Sequence, residues 1–173
     1  MICFQVDIHL SVVRKYSLMN KLKGIVGYLF WVILSMSAGL FGSQFEPGKW
    51  YETLEKPSFT PPDIVFPIVW PILYVMMGTA AWLIWKKKGW EEANGLLQLF
   101  IFHLILNGLW SYLFFGLHVI NIALVEILLL FLLLGYLTYK FWIYNKAAGA
   151  LLIPYLLWIA FASVLNGSIV WLN

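Results

Sequence analysis

The sequence predicts an all-α integral membrane protein, a bundle of five transmembrane helices with a long extracytoplasmic lid loop between helices 1 and 2. Three observations carry that prediction. Of 173 residues, 62% are hydrophobic and 11% charged, against about 25% charged in a soluble domain. Five apolar runs, at about 23–42, 66–85, 96–115, 119–139 and 148–171, are each of the roughly 20-residue length that a bilayer-crossing helix needs. The stretch from Lys49 to Pro62 is the only long polar segment between these runs. Connections of that length in compact domains usually act as lids or binding loops.

The same composition excludes several functions. A net charge of +3, dispersed at the ends of apolar runs, is too weak for a nucleic-acid surface. The single cysteine, Cys3, rules out an internal disulfide, and three scattered histidines offer no metal-ligand cluster. There is no nucleophile elbow, Walker loop or dinucleotide fingerprint. Five spans do not divide into two equal halves, which argues against an alternating-access carrier built from repeats.

Residues 1–18 are mixed in character, with Asp7, His9, Arg14 and Lys15, and lack the apolar core of a secretory signal. They are read as an N-terminal extension, untranslated or disordered, ahead of a domain covering 19–173. The run from Gly24 is longer than the usual ~7–15-residue signal core and is read as the first span. Ser35, Gly39 and Ser43 recur at every fourth position there, a small-residue face that lets another helix approach closely.

In the second span Pro67 suits a first helical turn, whereas Pro71 lies deeper and is expected to loosen or bend the helix. Trp70, Tyr74, Met77 and Ala81 share one face. Trp82, Trp85 and Trp90 are read as interfacial anchors, while Trp70 suits an interfacial belt or a pocket equally. The third span places His103, Asn107, Trp110 and Ser111 on one face. In hydrocarbon such groups must face the bundle or a wet cavity, so they form interhelical hydrogen bonds or a pocket wall with polar handles. The fourth span is Leu and Ile all round, as suits a lipid-facing helix, except for Glu126, which calls for protonation or a partner on a neighbouring helix. In the fifth, Tyr155, Trp158, Ala162 and Asn166 lie on one face. Small Ala162 beside Trp158 makes a recess with an aromatic wall, suited to a flat hydrophobic ligand.

The distribution of basic residues sets the orientation. Nine of eleven lie in the N-terminus and in the second and fourth connections, and only Lys49 and Lys56 lie in the long loop. The positive-inside bias then places the N-terminus in the cytoplasm, and the lid loop and C-terminus outside it.

The loop spelling Trp50-Tyr51…Leu54-Glu55-Lys56-Pro57-Ser58-Phe59-Thr60-Pro61-Pro62 resembles the signature loop of the translocator protein family. That family is also called tryptophan-rich sensory protein or peripheral-type benzodiazepine receptor. The likeness continues through Phe66…Val69-Trp70, Tyr74…Met77-Gly78, Asn107…Trp110-Ser111 and Pro154…Trp158…Phe161-Ala162…Leu165-Asn166, and covers residues 20–173. It implies a five-helix bundle, often a homodimer, that binds protoporphyrin IX, haem and related tetrapyrroles, with synthetic isoquinoline carboxamides and benzodiazepines as further ligands. No cofactor is required. Carried over by motif, the ligand site comprises Trp50, Tyr51, Pro62, Trp70, Asn107, Trp110, Trp158 and Ala162, with His103 where some relatives have asparagine.

The family's sterol motif needs a basic residue after its tyrosine, and none follows Tyr155. Sterol binding is therefore left without its motif, and the short tail points to a bacterial or archaeal member. The function implied is a membrane receptor or sensor for tetrapyrroles in porphyrin regulation or stress response. The alternatives are light-dependent protoporphyrin degradation, with Trp70 and Trp158 as the photochemical candidates, and transport.

Overall fold

The computed structural model describes the backbone of residues 2–173 and the side chains from Leu18 onward. It comprises α1 (Ile2–Gly42), the short α2 (Lys49–Thr53), α3 (Val65–Ser111), a π-helical turn (Tyr112–Gly116), α4 (Ile120–Tyr144) and α5 (Lys146–Leu172). No strand occurs among the described residues. The backbone of α1 already begins at Ile2, well ahead of the start expected for the first span. The side chains of the expected extension, and the question of a start at Met19, lie outside the described residues.

Four helical stretches are long and apolar enough to cross a membrane, and one of them, Val65–Gly116, runs for 52 residues. At 1.5 Å per residue that is about 78 Å, against a hydrocarbon core of ~30 Å. It folds back on itself: the Tyr74 hydroxyl donates to Asn107 Oδ1 at 2.7 Å, across 33 positions. The reversal falls at Gly89, the single residue of α3 with non-helical dihedrals (φ 70°, ψ −179°). Only glycine takes that region without strain.

The connection expected over 86–94 is thus corrected to a one-residue break between two helical limbs, 65–88 and 90–111. The reason is local. Lys86–Lys88 lie at the C-terminal end of one limb, and Glu91 and Glu92 in the first turn of the next, so both helix dipoles are complemented. The Lys88–Glu92 ion pair, at 3.0 Å, spans the break. α4 and α5 likewise meet at one residue, Asn145, whose side-chain oxygen accepts from the backbone N–H groups of Ala147 and Ala148. Pro71 and Pro154 sit inside helices that keep helical dihedrals around them.

Apolar helices in lipid gain little by hiding from water, so close fit must hold them together. α3 is central: α1 packs on it from one side, and the α4–α5 pair from the other. Ser35 is fully buried, and Gly39 faces the Tyr74 ring, so the small-residue face of α1 does admit a neighbour. Trp82 and Trp85, read from sequence as interfacial anchors, also serve this packing. Trp82 Nε1 donates to the Gly24 carbonyl at 3.0 Å, and the Trp85 ring fills the space beside Gly27. Trp90 is the more exposed member and lies against buried Trp31, their ring centroids 6.3 Å apart. α4 is lipid-facing on one side only, since Ala123, Glu126, Ile127 and Leu130 form a buried face.

Candidate ligand-binding cavity

The cavity lies where the bundle meets the 43–64 segment, at the end of the helices opposite Lys86–Lys88, Lys140 and Lys146. It measures about 720 Å³, within the ~300–1,000 Å³ of typical ligand sites. Each helical element contributes to its lining. α1 gives Met36 and Gly39, α3 gives Trp70, Tyr74, Asn107 and Trp110, α4 gives Ile127 and Leu130, and α5 gives Trp158 and Ala162. Tyr51 and Asp63 of the 43–64 segment complete it, with Phe114 from the π-helical turn.

The aromatic walls follow from helical spacing. Trp70 and Tyr74, one turn apart, stack at 5.4 Å with planes 24° apart. Trp158 meets Trp70 edge-on at 6.4 Å and 86°, and packs against Phe66 and Phe161. Trp110 stacks on Phe114, four residues later, at 4.9 Å. Edge-to-face and offset contacts suit the quadrupoles of these rings. They form two panels, Trp70–Tyr74–Trp158 and Trp110–Phe114, either of which offers a flat face to a planar guest.

The polar groups are more committed than their sequence positions suggest. Asn107 accepts from Tyr74 and donates through Nδ2 to the Tyr155 hydroxyl at 2.8 Å. Trp110 Nε1 donates to Asn166 Oδ1 at 3.1 Å, and Asn166 Nδ2 in turn donates to the Ile120 carbonyl at 3.2 Å. Both alternatives for the third-span face therefore hold together, because Asn107 and Trp110 tie helices to one another while lining the cavity. Trp158 Nε1, by contrast, is buried with no partner in the protein. The ring, not this nitrogen, is therefore what Trp158 presents to the cavity.

Of the nine residues expected at the site, Tyr51, Trp70, Asn107, Trp110, Trp158 and Ala162 line the cavity. The other three do not. Trp50 stands behind Phe114, its ring stacked on His118 at 4.0 Å. Pro62 is exposed beside the lining residue Asp63. His103 is fully buried in the core between Phe100 and Tyr155, one turn deeper than Asn107. Glu126, expected to be protonated or bonded to a neighbouring helix, is buried with neither oxygen in a hydrogen bond.

Sequence reasoning missed Phe114, which continues the Asn107–Trp110 face at the seventh position, and Gly39 of α1 and the adjoining Ser43 as cavity lining. Burial, and secondarily the Asp63 carboxylate, push the Tyr51 phenol above its ordinary value, keeping it a neutral hydroxyl. No group of three or more metal-binding side chains exists among the described residues.

Apolar helices that cross a bilayer several times around an indole-walled cavity define an integral, multi-pass membrane protein. The chain belongs to the TspO/MBR family, whose model matches residues 25–172. It is 44% identical to the tryptophan-rich protein TspO of Chlorobaculum tepidum over 81% of this chain and 91% of that protein. Identity to the archaeal protein of the same name from Archaeoglobus fulgidus is 37%, over 90% of this chain and 99% of the relative. The human translocator protein is 40% identical over 77% of this chain and 82% of its own length.

Proposed function

We propose that the protein is a membrane receptor that binds tetrapyrroles such as protoporphyrin IX or haem and couples their abundance to porphyrin regulation or stress response. The observation that carries this reading is the cavity itself: two aromatic panels around about 720 Å³. A macrocycle offers π-faces for the panels. In this reading the 43–64 segment is the lid, and it lies outside the cytoplasm together with the C-terminus, as the nine-to-two distribution of basic residues supports. Synthetic aromatic amides compete for the same space, and two copies pair in the bilayer. Titrating purified protein with protoporphyrin IX tests the reading. Saturable quenching of tryptophan fluorescence is expected, whereas linear, unsaturable quenching refutes it.

The proximity of Trp70 and Trp158 favours a second reading, light-dependent degradation of the bound porphyrin with these indoles as electron donors. An excited macrocycle lying against this Trp70–Trp158 pair, whose rings are 6.4 Å apart, has a donor within contact. Under illumination the porphyrin absorbance should bleach faster in the wild-type complex than in the Trp70→Phe/Trp158→Phe double variant. Equal bleaching at equal occupancy removes this reading and leaves the receptor.

A further inference from the structure

The 43–64 segment packs apolar rings against the bundle, among them Tyr51 on Phe115 and Phe59 on Phe161, but has few polar ties to it. Its backbone hydrogen bonds are local, as in Tyr51 to Gly48, Thr60 to Pro57 and Val65 to Pro62. Its hydroxyls also bond locally, Thr53 to the Trp50 carbonyl and Thr60 to that of Pro57. Among the described residues, only two hydrogen bonds join it to an element other than its flanking helices, and both involve one side chain. Asn173 Oδ1 accepts from the Glu55 backbone N–H at 3.0 Å, and Asn173 Nδ2 donates to the Glu55 carbonyl at 3.0 Å. The remaining amide proton is accounted for as well, because Nδ2 also donates to the Ile169 carbonyl at 2.9 Å. The primary amide thus pairs with both polar groups of one loop residue, as a neighbouring strand would, and is anchored to the last turn of α5.

A second hold lies five residues earlier. Trp50 stacks on His118 with centroids 4.0 Å apart and planes at 15°. His118 has φ 58°, a left-handed conformation uncommon outside glycine. The two holds bracket α2 and Tyr51, the residue of this short helix that lines the cavity.

We propose that Asn173 is a positioning residue for the lid, a clasp that fixes Glu55 to the end of α5 and, with the Trp50–His118 stack, holds Tyr51 over the cavity. The clasp governs how fast a ligand enters and leaves, and it touches no ligand itself. It rests on the reading of 43–64 as the cavity's cover, and its first readout needs no ligand.

That readout is backbone hydrogen exchange in ligand-free, full-length protein in lipid nanodiscs. In Asn173→Ala the Glu55 amide loses its acceptor, and its exchange should accelerate about tenfold, the order expected when two hydrogen bonds of modest net worth are removed. Asn173→Asp keeps an acceptor and loses the donors, so its acceleration should be smaller. Dissociation of protoporphyrin IX from Asn173→Ala should quicken by a similar factor, about tenfold. Unchanged Glu55 exchange overturns the clasp. So does faster exchange confined to Val170–Leu172, which marks Asn173 as a helix cap alone. If Glu55 exchange accelerates while wild-type protein binds no protoporphyrin, the clasp stands and the tetrapyrrole reading falls.

Discussion

The Gly78→Val variant should lose the packing of α1 on α3 and melt well below the wild type. A Cβ at Gly78 would fall 2.5 Å from Val32 Cα, 2.7 Å from the Trp31 carbonyl oxygen and 2.8 Å from Val32 N. All three are backbone atoms, so no side chain can swing aside, and α1 itself must move. Overpacking of a tight core costs about 1–3 kcal/mol, and a backbone contact lies at the upper end. Among the described residues α1 packs chiefly on α3, so little else holds it in place. Since Gly39 and Ser43 carry one cavity wall, the shift should weaken ligand binding as well. Thermal denaturation in detergent micelles measures the first effect. Gly135→Ala is the matched control: a Cβ there meets nothing within 4 Å, and the helix interior should gain about 0.5–1 kcal/mol. Equal melting temperatures for Gly78→Val and wild type would refute the close-approach account.

How much of this was legible in the chain follows from what each signal depends on. The spans were, because hydrocarbon thickness and backbone hydrogen bonding leave an apolar run of twenty residues few other structures. The turn at Asn145 and the reversal at Gly89 were placed only to within several residues, since helical order there depends on lysines and glutamates that read equally well as loop. The helix faces Trp70–Tyr74, Asn107–Trp110 and Trp158–Ala162 were legible because one side of a helix must point inward, and these sides meet at one cavity. Depth along the axis was not. His103 shares a face with Asn107 but lies one turn further from the 43–64 segment, and periodicity cannot register that difference. Trp50 and Pro62 illustrate a second blind spot. Loop spelling identifies a segment, but which of its side chains turn inward depends on contacts such as the Trp50–His118 stack, made by residues nearly seventy positions away. Whether Asn107 stands free or is held was also invisible, because its partners Tyr74 and Tyr155 come from a different limb and a different helix.

That last distinction decides which residue should matter most to a ligand. Asn107 and Trp110 already have protein partners, so replacing either one loosens the bundle and confounds any loss of affinity. Trp158 contributes ring surface to the cavity wall, packs against Trp70, Phe66 and Phe161, and makes no hydrogen bond within the protein. Trp158→Ala should therefore weaken protoporphyrin IX binding by roughly 30- to 100-fold, the equivalent of about 2–3 kcal/mol for a lost aromatic wall. Trp158→Phe separates the two contributions. It keeps a ring to stack on and removes the donor, so an affinity between those of alanine and wild type assigns the remainder to the N–H. A phenylalanine variant as weak as alanine makes the hydrogen bond the dominant contact, and one as tight as wild type makes it the ring alone. Unchanged affinity in Trp158→Ala, measured by quenching of the other nine tryptophans, would move the ligand to the Trp110–Phe114 panel. The physical reason for expecting otherwise is that Trp158 meets Trp70, Phe66 and Phe161 at once, so its loss removes the ring that joins that wall.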